Sequence, residues 1–125
     1  MSVETLRKTA DTLVEYCRTQ QEEKGLEELY DANAVSVEAE LMPGTESREI
    51  EGVEGIRGKH AWWNENFEVH GGDVQGPYLH GEDRFSVIFE IDATNKMSNE
   101  RSQMKEVAVY TTNGDGKIVR EEFFY

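Results

Sequence analysis

The last residues of the chain place a carboxylate in register with two aromatic rings. If the segment from Ile118 onward is a strand, its side chains alternate, and Glu121, Phe123 and Tyr125 point to one side. Burial beside apolar rings disfavours the charged form of a carboxyl group and raises its pKa, which suits a general acid or base near neutral pH. Ile118 and Phe124 make the other side apolar too, so the reverse orientation, with Glu121 in water, stays open.

The three histidines are the next candidates for proton transfer, because the ordinary pKa of imidazole lies near neutrality. His60 lies in a helical pattern one turn before Trp63, and it either faces a cavity or bonds within the helix layer. His70 and His80 stand beside glycines in a broken strand, where we expect solvent or an interface. No two histidines share one-turn helical spacing, so we expect no metal site.

Composition limits the class of protein. A chain of 125 residues is long enough for one core, so we expect a single domain spanning 1–125. The 26 acidic and 13 basic residues give a net charge of −13, which argues against nucleic-acid binding and against binding to anionic membranes. A single cysteine excludes an internal disulfide bond. With no apolar run of membrane length and no signal-peptide pattern at the start, we expect a cytoplasmic protein.

The elements that must position these residues follow from periodicity. Three helices are predicted: a first one after the N-cap Ser2, a short one at 26–33 after a polar run closed by Gly25, and one over about 53–67. The first helix carries an apolar stripe at three- and four-residue steps, formed by Leu6, Ala10, Leu13, Val14 and Cys17.

Strands make up the rest. The segment 34–41 alternates strictly, which by itself puts Glu38 on the solvent side opposite the valines. A loop is expected at 42–49. Glycines and a proline break the strand at 69–79, which predicts a bulged or edge position. Strands at 84–94 and 103–112 follow, and the turn at 113–116 makes the last two strands an antiparallel hairpin. Helices gathered before a run of antiparallel strands predict an α+β domain.

The chain resembles the nuclear transport factor 2-like (NTF2-like) superfamily, and within it the SnoaL-like and ketosteroid isomerase-like proteins. Three segments carry the resemblance, which covers nearly the whole chain: "GLEELYDANAVSVE", "EGVEGIRGKHAWW" and "NGDGKIVREEFF". It implies a cone-shaped fold, with three N-terminal helices packed on a strongly curved, mixed and mostly antiparallel sheet. It also implies an apolar pocket at the open end, no cofactor, and a homodimer formed through the outer face of the sheet.

The resemblance also implies site residues. Tyr16 matches the family's tyrosine on the first helix, and Glu38 matches its general base on the first strand. Ala108 stands where the family's isomerases carry a carboxylic acid, so that donor is missing and steroid-type isomerisation is doubtful. His60 and Trp63 fall on the pocket side of the third helix. The inward face and pocket wall are expected to comprise Phe67, Phe85, Val87, Phe89, Ile91, Met104, Glu106, Ala108, Tyr110, Glu121, Phe123 and Tyr125.

Two conclusions follow for the candidate site. With Glu106 and Glu121 both inward on adjacent strands, burial and mutual repulsion would raise at least one carboxyl pKa. For Glu38 the resemblance indicates the inside and the alternation indicates the outside. One hypothesis is therefore a proton-transfer enzyme of the isomerase, cyclase or dehydratase type, using these carboxylates with His60 on a small carbonyl or polyketide-like substrate. The other is a non-catalytic module that binds a small apolar or amphipathic molecule or serves dimerisation.

Overall fold

Helices come first along the chain and strands dominate its second half, as the sequence predicts. The computed structural model describes residues 3–41 and 44–125, so the predicted cap Ser2 and part of the predicted loop lie outside the described residues. The elements are α1 (Val3–Arg18), α2 (Glu22–Leu29), β1 (Tyr30–Val37), β2 (Glu49–Glu51), α3 (Val53–Asn66), β3 (Phe67–His80), β4 (Arg84–Asn95), β5 (Glu100–Thr112) and β6 (Ile118–Phe124). None of the described helices is long and apolar enough to cross a membrane.

The six strands form one mixed sheet in the order β2-β1-β6-β5-β4-β3. Among the described strands, β1 and β6 form the parallel pair, and the other neighbours run antiparallel. The final hairpin of β5 and β6 and the edge position of β3 are confirmed. Register shifts in β3 between Val69 and Gly71 and between Gln75 and Tyr78 confirm that this strand is irregular. The predicted α+β class, with three helices on a mostly antiparallel sheet, is confirmed.

The main core lies between α1 and the inner face of the sheet. The predicted stripe of α1 packs against β4, β5 and the start of β6, and the rings of Phe85 and Tyr110 stack with centroids 4.8 Å apart. Phe85 and Val87, which were expected in the pocket wall, have no exposed surface and belong to this core instead. They lie near the start of β4, where α1 covers the sheet completely, and the cavity begins further along the strand.

The second helix differs from the prediction. It begins at Glu22, contains Gly25 as a buried interior residue and ends at Leu29, and β1 starts directly at Tyr30. Glycine in a helix interior costs about 1 kcal/mol relative to alanine, which is why the sequence indicated a break. Here Gly25 packs against the ring of Tyr16 on α1, and Leu26 is buried beside it, so tertiary packing overrides the local preference.

The first strand also differs from the simplest expectation. Ala34 and Ser36 are buried on its inner face, whereas Val35 and Val37 lie half-buried on the outer face. The strand ends at Val37, and the short antiparallel strand β2 beside it begins at Glu49, the last residue of the predicted loop. Both faces of β1 are therefore partly covered, and the solvent side indicated by alternation is in fact the side that leads to the cavity.

Candidate functional site

A cavity of about 680 Å³ lies between the three helices and the inner face of the sheet. Helices α1 and α2 form one wall, α3 forms a second, and β4 to β6 form the floor. Aromatic rings dominate much of the lining, and the rings of Trp63 and Phe67 stack at 4.1 Å between centroids. The residues expected on the inward face and pocket wall that do line the cavity are Trp63, Phe67, Phe89, Ile91, Met104, Glu106, Tyr110, Glu121, Phe123 and Tyr125, whereas Ala108 is buried in the main core.

Both tryptophans of the chain belong to this wall. The sequence indicates that adjacent Trp62 and Trp63 face different ways, with one of them on the surface or at a dimer contact. Both nevertheless line the cavity, and both rings contact Phe67, Trp62 at a tilt of 60°. The chain contains two tryptophans in total, so tryptophan fluorescence, excited selectively over the five tyrosines, reports on this cavity.

Lys59 is the central charged residue of the cavity, and it was not among the predicted site residues. Its Nζ lies 2.8 Å from Oε1 of Glu38 and 3.7 Å from Oε2 of Glu121, and it donates to Oγ of Ser36 at 2.8 Å. The ammonium also lies 4.3 Å from the ring centroid of Phe123, a cation–π distance. With 10% of its side chain exposed, Lys59 is a buried cation placed between two carboxylates.

Glu38 faces the cavity, as the family resemblance indicates. It follows β1 directly, its side chain is 13% exposed, and Oε2 accepts a hydrogen bond from the hydroxyl of Tyr125 at 3.4 Å. The ion pair with Lys59 explains the orientation, because the ammonium and the hydroxyl together replace water around the carboxylate. The alternation pattern, which indicated solvent, was wrong for this residue.

Glu121 lies at the deep end of the cavity and is 1% exposed. Its inward orientation fits the register it shares with Phe123 and Tyr125, both of which also line the cavity. Oε2 is the oxygen nearest Lys59, while Oε1 has no hydrogen-bond partner among the described residues. A buried carboxylate oxygen without a partner is costly and therefore calls for a functional explanation.

The register separates Glu106 from Glu121. Glu121 pairs with Tyr110, whereas Glu106 lies four residues before Tyr110 on β5, about 13 Å along the strand. Burial is the largest cause that raises the pKa of Glu106, to about 7, and the charge of Glu38 is the second. Lys59 opposes this rise, and Glu121 adds a smaller contribution. Glu38 is therefore the carboxylate that raises the pKa of Glu106 most, rather than Glu121.

His60 lies on the cavity wall beside Lys59 on α3. Burial lowers the pKa of its imidazole below 6.5, the charge of Glu121 opposes this shift, and the ammonium of Lys59 reinforces it. Its Nδ1 is buried without a hydrogen-bond partner among the described residues, so neither of the expected carboxylates fixes the tautomer. The imidazole is neutral at pH 7 and can accept a proton or donate a hydrogen bond.

The tyrosines occupy two different environments. The ring of Tyr16 reaches the cavity wall, but its hydroxyl donates to Oε1 of Glu28 at 2.7 Å at the exposed rim. Tyr30 and Tyr110 lie deeper, where burial first and the charge of Glu121 second raise the pKa of each well above its ordinary value. Both therefore stay protonated and offer neutral hydroxyl groups at the deep end.

Other sequence features have structural roles. Cys17 also lines the cavity, and burial raises the pKa of its thiol to about 12, so the thiolate nucleophile is absent at neutral pH. His70 and His80 are exposed on β3 and hydrogen-bond hydroxyl groups of β4. Among the described residues, no group of three histidine, cysteine, aspartate or glutamate side chains could hold a metal ion.

Comparison with known proteins identifies the family. The family model of the SnoaL-like domain matches residues 4–125. This chain belongs to the SnoaL-like family. A solved protein of Mesorhizobium loti, assigned as a SnoaL-like polyketide cyclase, is 37% identical, with a TM-score of 0.87 over 95% of this chain and 97% of that one.

More distant structures share the fold of this SnoaL-like domain. An NTF2-like protein of unknown function from Burkholderia pseudomallei is 13% identical, with a TM-score of 0.77 over 100% of this chain and 92% of that one. A protein with a ketosteroid isomerase-like fold from Catenulispora acidiphila, solved in complex with trimethylamine, is 19% identical, with a TM-score of 0.61 over 78% and 69%. The predicted NTF2-like fold is confirmed. Among curated protein sequences, none matches the chain significantly.

Proposed function

We propose that this SnoaL-like domain is a proton-transfer enzyme of the isomerase, cyclase or dehydratase type that acts on a small, largely apolar carbonyl or polyketide-like compound. The observation that carries the proposal is the carboxyl group of Glu106, whose pKa is raised to about 7 on the wall of the cavity, partly by the charge of Glu38. A carboxyl group that holds its proton near neutral pH can act as the acid beside a second carboxylate that acts as the base. The trimethylamine bound by the Catenulispora protein supports small-molecule binding in this fold.

Glu106 compensates for the acid that is missing at Ala108. The two residues are two positions apart on β5, so their side chains lie on the same inner face. A protonated carboxyl group at Glu106 therefore points into the same cavity about 7 Å from the expected position. Near neutral pH it can donate a hydrogen bond to an oxygen on which negative charge develops.

The proposed reaction uses Glu38 as the base. Its carboxylate removes a proton from the carbon next to the substrate carbonyl, and the electron pair of that C–H bond moves to the carbonyl oxygen. The resulting enolate accepts a hydrogen bond from Glu106, and the proton then returns from Glu38 to another carbon of the substrate. When Glu38 becomes neutral, the ammonium of Lys59 at 2.8 Å is left to balance the enolate charge.

The other candidates take supporting roles in this proposal. His60 is neutral, and its Nδ1 has no hydrogen-bond partner among the described residues. It can therefore hydrogen-bond a substrate oxygen or relay a proton. The hydroxyl of Tyr125 orients Glu38. Glu121 provides Lys59 with a second carboxylate from the deep end. Tyr16 contributes its ring to the wall, since its hydroxyl is engaged with Glu28.

Deuterium exchange tests this function. The protein is incubated in D₂O with a panel of β,γ-unsaturated ketones and β-keto esters, and NMR follows deuterium incorporation and movement of the double bond. We expect Glu38→Gln to lower the rate by about 10²–10⁴-fold, the usual contribution of a general base. The rate with the wild-type protein should fall as pH rises through about 7, and Glu106→Gln should abolish this inflection. Glu65→Gln, a change of the same kind at an exposed position of α3, should behave as wild type.

A non-catalytic ligand-binding module is the second candidate. The ion pair between Lys59 and Glu38 favours it, because the ammonium at 2.8 Å already occupies Oε1 of the carboxylate that would act as the base. Quenching of the Trp62 and Trp63 fluorescence measures binding independently of turnover. Ligands that bind without any exchange above the rate in buffer would support the module and contradict the enzyme.

We also propose that two copies pair through the outer face of the sheet. Ile88, Val107 and Phe124 lie side by side in the registers of β4, β5 and β6, on the face opposite the cavity. Phe124 is 54% exposed, and in the neighbouring row Val109 and Val37 flank Glu122, whose carboxylate pairs with Arg120. An apolar row on an open sheet face is typical of an interface.

A further inference from the structure

The buried charges of the cavity do not balance. Among the described residues at its deep end, the ammonium of Lys59 faces the carboxylates of Glu38 and Glu121 at 2.8 and 3.7 Å, which leaves one negative charge uncompensated. Glu106 adds a second, partial negative charge near pH 7. His60 supplies no positive charge, because burial keeps its imidazole neutral. Uncompensated charge inside a protein is expensive, so the cavity favours a positively charged guest.

The second observation is independent of this count. Oε1 of Glu121 is buried and lines the cavity, and among the described residues no donor stands in hydrogen-bond geometry to it. The hydroxyl of Tyr30 lies near enough for a hydrogen bond with Glu121 to contribute to its own raised pKa, but it leaves Oε1 without a well-placed donor. A carboxylate oxygen accepts hydrogen bonds and donates none, so the missing partner must be a donor. The cavity of about 680 Å³ that Glu121 lines has room for a ligand whose donor reaches this oxygen.

The surroundings of Glu121 suit a cation as well. The rings of Tyr30 and Tyr110 lie within its electrostatic reach, and the cavity wall continues with Trp62, Trp63 and Phe67. Aromatic faces attract ammonium groups and also cover the apolar part of a ligand. The cavity wall already contains this kind of contact, since the ammonium of Lys59 lies over the ring of Phe123.

We propose that the cavity binds a ligand that carries a protonated amine, with the ammonium group donating to Glu121 and the apolar part packed against Trp62 and Trp63. The proposal goes beyond the proposed function, because it concerns the charge of the ligand and stands whether or not a proton is transferred. Carboxylate and phosphate ligands are excluded by the same charges, since Lys59 is already shared by two carboxylates.

A matched series of three ligands tests the proposal. 2-Phenylethylammonium, 2-phenylethanol and phenylacetate have nearly the same size and differ in charge at one end. Quenching of tryptophan fluorescence gives the three dissociation constants for the whole protein at pH 7.5 and low ionic strength, and calorimetry repeats them. We expect the ammonium ligand to bind at least tenfold more tightly than the alcohol, and the carboxylate to bind most weakly.

Variants locate the ammonium group. Glu121→Gln removes the charge but keeps a carbonyl oxygen, so it should weaken the ammonium ligand at least tenfold and change the alcohol less than twofold. Glu65→Gln should change neither. Equal affinity for the ammonium ligand and the alcohol in the wild-type protein would overturn the proposal even if Glu121→Gln did not fold, and tightest binding of phenylacetate would assign Lys59 as an anion site instead. Neither result bears on deuterium exchange, so failure here is distinct from failure of the proposed reaction.

Discussion

Lys59 and Glu38 form an ion pair inside the cavity, with Nζ and Oε1 2.8 Å apart and both side chains almost buried. The same ammonium donates to Ser36 and lies 3.7 Å from Glu121, so a single cation holds three groups from β1, the residue that follows it, and β6. Because both carboxylates take their positive counter-charge from Lys59, this residue controls the charge balance and the arrangement of side chains at the deep end of the cavity.

Replacing Lys59 by methionine should destabilise the fold. The change keeps the length of the side chain but leaves Glu38 and Glu121 buried without a counter-charge, and breaking a buried pair in this way typically costs about 3–5 kcal/mol. Urea denaturation followed by circular dichroism gives the free energy of unfolding. The expected loss is about 3 kcal/mol at pH 7.5.

A double-mutant cycle separates the charge from the packing. Lys59→Met combined with Glu121→Gln should recover part of the loss, because one of the unpaired charges is then absent. Lys8→Met, at an exposed position of α1, should stay within about 0.5 kcal/mol of wild type. If Lys59→Met alone were as stable as Lys8→Met, the ion pair would contribute nothing to the fold.

Glu106 should make stability depend on pH. Its pKa is 4.5 in the unfolded chain and about 7 in the folded one, so the folded state holds the proton more tightly. The associated stability is complete below pH 4.5 and is lost as pH rises through about 7. The whole rise corresponds to about 3 kcal/mol, and Glu106→Gln, which cannot ionise, should lack this dependence.

The measurement is the difference in free energy of unfolding between Glu106→Gln and the wild-type protein at several pH values. This difference should increase by about 2–3 kcal/mol, in favour of the variant, between pH 5 and pH 8. Glu65→Gln provides the matched exposed control and should give a flat difference. A flat difference for Glu106→Gln as well would mean that its carboxyl group is solvated.

The fold was predictable because its signals are local and repeated. Several residues together indicate the apolar stripe of α1, and several indicate the turn between β5 and β6. Both predictions are confirmed. Gly25 and Glu38 show where local signals fail. A buried helical glycine and an inward carboxylate both contradict propensity or alternation, and only contacts with Tyr16 and with Lys59 explain them.

The candidate site was predictable in part. The register that Glu121 shares with its aromatic neighbours favours a buried acid, although Ile118 and Phe124 leave the reverse orientation open, and the fold buries Glu121. Lys59 was overlooked because a lysine in a weakly amphipathic helix usually faces solvent. Its spacing of three from Ile56 and four from Trp63 places it on the apolar side, and this was the available signal. The separation of Glu106 from Glu121 depends on strand register, which the sequence does not specify.

His60 should titrate below its ordinary range. Burial lowers the pKa of the imidazole from 6.5, and the charge of Glu121 limits the decrease. NMR titration of the imidazole resonances gives the value directly, with His60→Gln identifying the signal. In the Glu121→Gln variant the pKa should fall further, because the opposing charge is removed. A pKa at or above 6.5 would show that the ring is solvated and would weaken its place in the proposed site.

The outer face of the sheet gives the last prediction. If Ile88, Val107 and Phe124 form a dimer interface, the wild-type protein should sediment as a dimer at micromolar concentration. Phe124→Asp should then produce monomers, because it places a charge within the apolar row, where the charge would have to be desolvated. Met97→Asp makes the same change at a 68% exposed residue in the turn between β4 and β5, and it should leave the dimer intact. Monomeric wild-type protein at about 100 µM would refute the proposed interface. Identical fluorescence titrations for wild type and Phe124→Asp would show that each cavity binds its ligand without a partner subunit.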